Sequence, residues 1–134
     1  MDFKWKKEYE TGFDEIDNQH RRFFIIFEKL YTIVPKSNNE NEIMETINEL
    51  KAYTSYHFKT EEELFAKFNF EETEKKNHLE KHLKLCETIR RFENEDTVSP
   101  GILGYKLVDF AQKWLVEHIL SADMQFVNFI KNQK

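Results

Sequence analysis

Apolar side chains recur at helical spacing through most of the chain. In one segment the stripe falls at positions that step alternately by four and three residues, which places them on one face of a helix. These positions are 43, 47, 50, 54, 57, 61 and 64, and they hold Ile, Ile, Leu, Thr, His, Glu and Leu. Proline and clusters of polar residues interrupt such patterns, and they occur at Pro35 and near residues 36–39 and 94–101. The pattern predicts four helices, over about 18–35, 40–66, 72–93 and 102–130.

The N-terminal residues lack this period. Aromatic residues such as Trp5 and Tyr9 occur in residues 1–16, and we expect this arm to pack across the helices through them. Asp17 is predicted to cap the first helix, and Asn39 is predicted to cap the second.

Amphipathic helices joined by short loops are typical of one architecture. They bury their apolar stripes against one another in an up-down-up-down antiparallel four-helix bundle. We therefore predict an all-α fold, with residues 1–134 forming a single domain.

Composition excludes several classes of protein. The net charge of −5 gives no overall attraction to nucleic acid or anionic lipid. The longest apolar run, Phe23–Phe27, is far shorter than the roughly 20 residues of a membrane span. The N-terminus has no apolar signal segment, and the single cysteine excludes an intramolecular disulfide. We expect a cytoplasmic monomer without nucleic-acid or membrane partners.

Polar side chains interrupt the apolar stripes of all four predicted helices. A lone histidine on such a face is usually a hydrogen-bonded core residue, but five histidines and two carboxylates share these positions. Burying seven unpaired polar groups would cost several kcal/mol each, more than a bundle with a stability of about 5–15 kcal/mol can carry. Metal coordination would satisfy them together. The candidate ligands are His20, His57, Glu61, His78, His82, His118 and Asp123.

The spacing of these residues supports convergence. His57 and Glu61, and likewise His78 and His82, are four residues apart, so each pair lies about 40° apart on a helix and reaches one point. We expect one ion to be held by three histidines and the other by two, with the carboxylates bridging them. The three-histidine ion takes His78, His82 and His118, and the other takes His20 and His57.

The last pair does not fit a regular helix. His118 and Asp123 are five residues apart, which is about 140° around the helix axis. A regular continuation would turn polar Ser121 inward, whereas a shift by one residue turns Phe126 and Phe129 inward. We therefore predict a one-residue π-bulge between His118 and Asp123.

Imidazole and carboxylate ligands without thiolate suit iron, manganese or zinc. Neither the HExxH pattern of zinc proteases nor the ExxH pairs of ferritin-like proteins is present. Two octahedral ions offer about twelve positions, of which five imidazoles, two bridging carboxylates and one bridging oxygen would fill about eleven. The remaining position, on the two-histidine ion, suits a small diatomic ligand.

The motifs as a set resemble the hemerythrin family, in particular its single-domain bacterial members. The resemblance implies two iron ions bridged by oxo or hydroxo, with Glu61 and Asp123 as bridging carboxylates. It also implies reversible binding of molecular oxygen at the iron held by His20 and His57. The motifs that carry it are Asp17-x-x-His20, His57-Phe58-x-x-Glu61-Glu62, His78-x-x-x-His82 and Trp114-Leu115-x-x-His118-Ile119-x-x-x-Asp123.

A dry apolar pocket would protect bound oxygen from water and protons. Phe23, Phe24, Trp114 and Leu115 lie within one turn of candidate ligands and are predicted to line it, although each could equally be ordinary core. Storage, delivery or scavenging of oxygen is the favoured function. An oxygen or redox sensor, or an enzyme acting on peroxide or nitric oxide, is the alternative. We expect no enzymatic activity, because no inward histidine or carboxylate is left to serve as an acid or base.

Overall fold

The computed structural model describes residues 3–36, 39–95 and 99–132, and no strand occurs among them. As predicted, the fold is an all-α, up-down-up-down antiparallel four-helix bundle. The fourth rod is continuous but changes its winding in the middle, where five residues adopt π-helical geometry. The helices are α1 (Asp14–Ile33), α2 (Glu40–Lys67), α3 (Glu72–Glu93) and α4 (Pro100–His118), and α4 continues through a π-helical segment (Ile119–Asp123) into α5 (Met124–Lys131).

The start of α1 differs from the prediction. The helix begins at Asp14, four residues earlier than expected, and its N-cap residue Phe13 makes no side-chain capping bond. The prediction that Asp17 caps this helix is therefore wrong. The Asp17 carboxylate instead accepts hydrogen bonds from the Thr11 hydroxyl (2.7 Å), the Thr11 N–H (2.9 Å) and the Gly12 N–H (3.1 Å). Asp17 thereby ties the arm to the first turn of α1.

The other helix starts follow local capping chemistry. The Asn39 side chain accepts from the Asn41 N–H at 3.0 Å, which confirms the predicted cap of α2. α4 begins at Pro100, two residues before the predicted start, because the Ser99 hydroxyl accepts from the Ile102 N–H at 3.3 Å. Proline is favourable at the first helical position, because a backbone N–H there would have no partner within the helix. Residues 37–38 and 96–98, which belong to the two predicted loops, lie outside the described residues.

Aromatic side chains hold the arm against the bundle. A 3₁₀ turn at Lys7–Tyr9 presents Tyr9 to the helices. The rings of Trp5 and Tyr9 pack on Phe24 of α1 with centroid distances of 5.6 and 5.5 Å. The expected packing of the arm through its aromatics is thus confirmed.

The core has two apolar parts with a polar layer between them. One cluster includes Phe23, Leu50 and Leu115, and the other includes Ile16 and Phe126. Along α1, α2 and the rod formed by α4 and α5, the buried side chains run from apolar to polar and back to apolar, whereas the buried residues of α3 begin with His78 and His82 and become apolar at Leu85. The polar layer therefore crosses the bundle between two hydrophobic clusters. In the described part of the chain, no helix is both long and apolar enough to span a membrane.

Candidate metal centre

The seven predicted ligands meet in the polar layer. Each is at most 4% exposed, and together they come from all four rods of the bundle. Their donor atoms form two groups, within each of which every donor lies within 4.8 Å of the others. The three-histidine group is Glu61, His78, His82 and His118, and the two-histidine group is His20, His57 and Asp123.

The predicted π-bulge is present and positions Asp123. The Met124 N–H donates to the carbonyl of Ile119, five residues earlier, as a π-helix requires. This wider turn places Asp123 Oδ1 at 3.1 Å from His118 Nε2. Downstream, Phe126 and Val127 are buried, so the extra residue also restores the apolar face of α5.

The Asp123 carboxylate faces both groups. Its Oδ2 lies 3.0 Å from Nε2 of His20, while its Oδ1 lies 3.0 Å from Nε2 of His78. One carboxylate oxygen thus points to each set of histidines. This is the arrangement needed for a carboxylate that bridges two ions.

The Glu61 carboxylate also lies close to histidines of both groups. Its Oε1 lies 2.9 Å from His57 Nε2 and 3.3 Å from His82 Nε2, and its Oε2 lies 3.4 Å from His78 Nε2. Two donors bound to one ion at right angles, each about 2.1 Å away, are about 3.0 Å apart. The separations around Glu61 and Asp123 are close to the edge of such a coordination polyhedron.

The buried donors lack the hydrogen bonds that polar atoms normally require. Among the described residues, seven donor atoms have no partner with hydrogen-bond geometry, namely both oxygens of Glu61 and of Asp123 and Nε2 of His20, His57 and His82. The Nε2 atoms of His78 and His118 face each other at 2.9 Å. Such orphaned atoms are rare in protein interiors. Their convergence fits metal coordination.

Electrostatics favours the ionised carboxylates. Burial raises the pKa of Glu61, but the charge and close approach of His57, with His78 and His82, hold it well below its usual value. Burial also raises the pKa of Asp123, and its histidine neighbours again lower it. Burial lowers the pKa of His78, but the two carboxylates raise it to about 9. Because metals bind ionised carboxylates and neutral imidazoles, loading the centre would release the proton that His78 holds.

Gln19 holds the His57 ring in place through a hydrogen bond. The sequence analysis did not identify this role of Gln19. The Thr60 hydroxyl donates to the Tyr56 carbonyl at 3.1 Å, so it can only accept from Gln19 Nε2, at 3.2 Å. This fixes the amide with its oxygen toward His57 Nδ1, at 2.6 Å. Nδ1 must therefore carry the hydrogen, which leaves Nε2 free to bind a metal. The available signal was the position of Gln19 on the buried side of α1, next to His20.

Gln19 makes His57 different from the other candidate imidazoles. Among the described residues, Nδ1 of the remaining four has no hydrogen-bond partner, and these residues are His20, His78, His82 and His118. The orientation of those rings depends on packing instead. His82 stacks on Phe58 with a centroid distance of 3.8 Å, and His118 stacks on Trp114 at 4.3 Å.

A small apolar space, here called the inner cavity, lies beside the centre. Its volume is about 10 Å³, close to the minimum that holds one water molecule. Three of the predicted pocket residues line it, namely Phe23, Trp114 and Leu115. Phe24 does not, because its ring packs on the arm. The remaining lining residues are Phe27, Leu50, Thr54, Phe58, Leu85, Ile89 and Ala111.

Comparison with known proteins agrees with this architecture. The sequence profile described as "Hemerythrin HHE cation binding domain" matches residues 11–130. A bacteriohemerythrin of Clostridium acetobutylicum is 33% identical over 94% of this chain and 99% of that protein. A bacteriohemerythrin of Pseudomonas aeruginosa is 30% identical over 96% of this chain and 81% of its own length. A hemerythrin-like protein of Naegleria gruberi is 28% identical over 92% of this chain and 90% of its own length. This chain belongs to the hemerythrin family.

Proposed function

We propose that the protein binds molecular oxygen reversibly at a pair of iron ions held by the seven buried donors. The observation that carries the proposal is the convergence of these donors into two groups with unequal numbers of histidines. When bound, such an iron pair supplies two electrons and an open coordination position. The protein's part is to hold the ions, orient their ligands and exclude water.

The division of the donors supports a proposal about where a gas would bind. The three-histidine group offers three imidazoles, while the two-histidine group offers those of His20 and His57. With Glu61 and Asp123 shared, the ion beside His20 and His57 has one protein ligand fewer. That is the position at which a small ligand could bind without displacing a side chain.

The surroundings of His57 suit a neutral diatomic ligand. Phe23 lies edge-on to the His57 ring at 5.2 Å and also lines the inner cavity. Thr54 is the single residue with a side-chain hydroxyl in that lining, and its hydrogen is bonded to the Leu50 carbonyl at 2.7 Å. The space beside the centre is therefore apolar, which disfavours water and proton entry.

The same lining favours binding over catalysis. An enzyme acting on peroxide or nitric oxide needs a positioned acid or base next to the open position. No histidine or carboxylate occurs among the described residues that line the inner cavity. We therefore place oxygen storage, delivery or scavenging first, and sensing or di-iron enzymology second.

An anaerobic titration tests the proposal. Protein loaded with ferrous iron is analysed for metal content, titrated with oxygen by absorbance, and then flushed with argon. We expect two irons per chain and a spectral change that reverses on removal of oxygen. Irreversible oxidation on the first exposure, or less than one iron pair per chain in folded protein, would refute reversible binding. Rapid turnover of peroxide or nitric oxide would instead favour the enzyme.

A further inference from the structure

A surface groove and the inner cavity share two wall residues. The groove lies between α2 and α3, has a volume of about 290 Å³ and is lined in part by Ser55, Cys86 and Arg90. Thr54 and Ile89 line both this groove and the inner cavity. A single layer of side chains therefore separates solvent from the apolar space beside the centre.

We propose that molecular oxygen enters through this α2–α3 groove and passes between Thr54 and Ile89 into the inner cavity. The inference rests on the proposed function, since it supplies the path by which oxygen reaches the ion beside His57. Thr54 and Ile89 are buried and in contact with the core, so the passage opens through side-chain motion.

Side chains, and not closely packed backbone, form the wall between α2 and α3. In the described part of the chain, the backbones of these two helices come within 8 Å of each other at few positions. Side chains fill the space between them, and the Lys51–Glu93 ion pair spans it at 2.8 Å. A path between Thr54 and Ile89 requires movement of an isoleucine side chain and leaves the backbone in place.

The opposite wall is held more firmly. Trp114 also lines both the inner cavity and a second surface groove, formed mainly by α4. Its indole stacks on His118 at 4.3 Å and leans on Phe58 at 6.0 Å. Opening that wall would disturb a candidate ligand, whereas moving Ile89 disturbs none. The geometry therefore favours the α2–α3 side.

The single cysteine allows the groove to be blocked without a change to the core. Cys86 is partly exposed in the groove, and a benzyl methanethiosulfonate reagent would fill the space above Ile89. Oxygen association and dissociation are then measured by stopped flow on iron-loaded protein. We expect both rates to fall by about tenfold, or ~1.4 kcal/mol on the barrier, with the equilibrium constant unchanged. Cys86→Ser protein treated in the same way should keep the original rates.

Substitutions of Ile89, which lines both the groove and the inner cavity, test the same path. Ile89→Phe should slow both rates and Ile89→Val should speed both, while the matched changes Ile43→Phe and Ile43→Val should alter neither. Ile43 is equally buried in the same apolar cluster but lines neither space. Unchanged rates in the labelled protein and in both Ile89 variants would overturn the proposal. So would a Trp114→Phe variant that alone alters the rates.

A second measurement separates this proposal from the proposed function. In zinc-loaded protein, which cannot react with oxygen, dissolved oxygen under pressure shortens the relaxation times of nearby methyl protons. We expect strong effects at Leu85 and Leu115, which line the inner cavity, and weak effects at Leu64, which is buried in the other cluster. Equal effects at all three would overturn the route. Strong effects at Leu85 and Leu115 without reversible binding by the iron protein would overturn the proposed function alone.

Discussion

Replacing Gln19 by leucine should loosen the ion held by His57. In the native chain the Gln19 oxygen accepts the hydrogen of His57 Nδ1 at 2.6 Å, and both side chains are buried. Leucine removes the acceptor while retaining similar volume. The Nδ1 hydrogen then has no partner, and the ring can rotate or change tautomer, so that Nε2 no longer faces the centre.

The size of the effect follows from two independent estimates. Leaving a buried donor unsatisfied costs about 1–3 kcal/mol. Removing a group that orients a metal-bound histidine typically weakens metal binding about 10–100-fold, or ~1.4–2.7 kcal/mol. The first range is a cost in folding stability, and the second is a loss of metal affinity. We therefore expect the ion beside His57 to bind about 10–100-fold more weakly in Gln19→Leu protein.

A chelator competition monitored by absorbance measures this directly. Gln19→Glu keeps an acceptor for His57 and should retain most of the affinity. Thr60→Val removes the outer bond to the amide and the hydroxyl's own bond to the Tyr56 carbonyl, but leaves the His57 acceptor in place, so it should have a smaller effect. Asn18→Leu is the matched control, because Asn18 is the neighbouring exposed amide and bonds Arg21 instead. If Gln19→Leu protein folds and binds both ions with native affinity, the orienting role is refuted.

Three further predictions address the centre and its surroundings. His57→Ala should lose one of the two ions, whereas His82→Ala should retain iron better because the three-histidine group keeps two imidazoles; equal losses by metal analysis would contradict the division. Ser121 lines a groove that reaches His118, so Ser121→Leu should slow the decay of the oxygenated absorbance by excluding solvent, and an unchanged decay would remove Ser121 from this role. Burial raises the pKa of Tyr53 to about 12, so its phenol should titrate near that pH by ultraviolet absorbance. The stability it contributes should be present below pH ~10 and lost as the pH rises through about 12; a Tyr53→Phe variant that keeps a late-titrating phenol would contradict this assignment.

The ligand positions could be predicted because the hydrophobic pattern of a helical sequence indicates both which side chains are buried and which share a face. A histidine or carboxylate on an apolar stripe must be buried, and helical periodicity converts its position into a direction. The π-helical segment could also be predicted from the hydrophobic pattern. Phe126 is buried and Gln125 is exposed, which a regular helix after His118 would reverse.

The start of α1 was predicted less well than the starts of α2 and α3, which coincide with the predicted residues. Phe13 carries no capping side chain, so nothing local marks the start of α1 at Asp14. Asp17 has the residue type of a cap but bonds the arm, which only the folded chain brings within reach. A short polar residue near a helix start thus has several possible partners, and spacing alone does not choose among them.

The pocket shows where helical periodicity stops being sufficient. Phe23 and Phe24 are neighbours about 100° apart on α1, so they point to different surroundings. Phe23 lies against His57 and the inner cavity, while Phe24 lies under the arm. Phe58, next to His57 in sequence, stacks instead on His82 of another helix. Periodicity gives the angle of a side chain on its own helix, but the residue it meets depends on the rotation and height of the neighbouring helix. The metal ligands could be predicted without that information because all of their side chains converge on one centre. An aromatic side chain can instead pack against many different apolar neighbours.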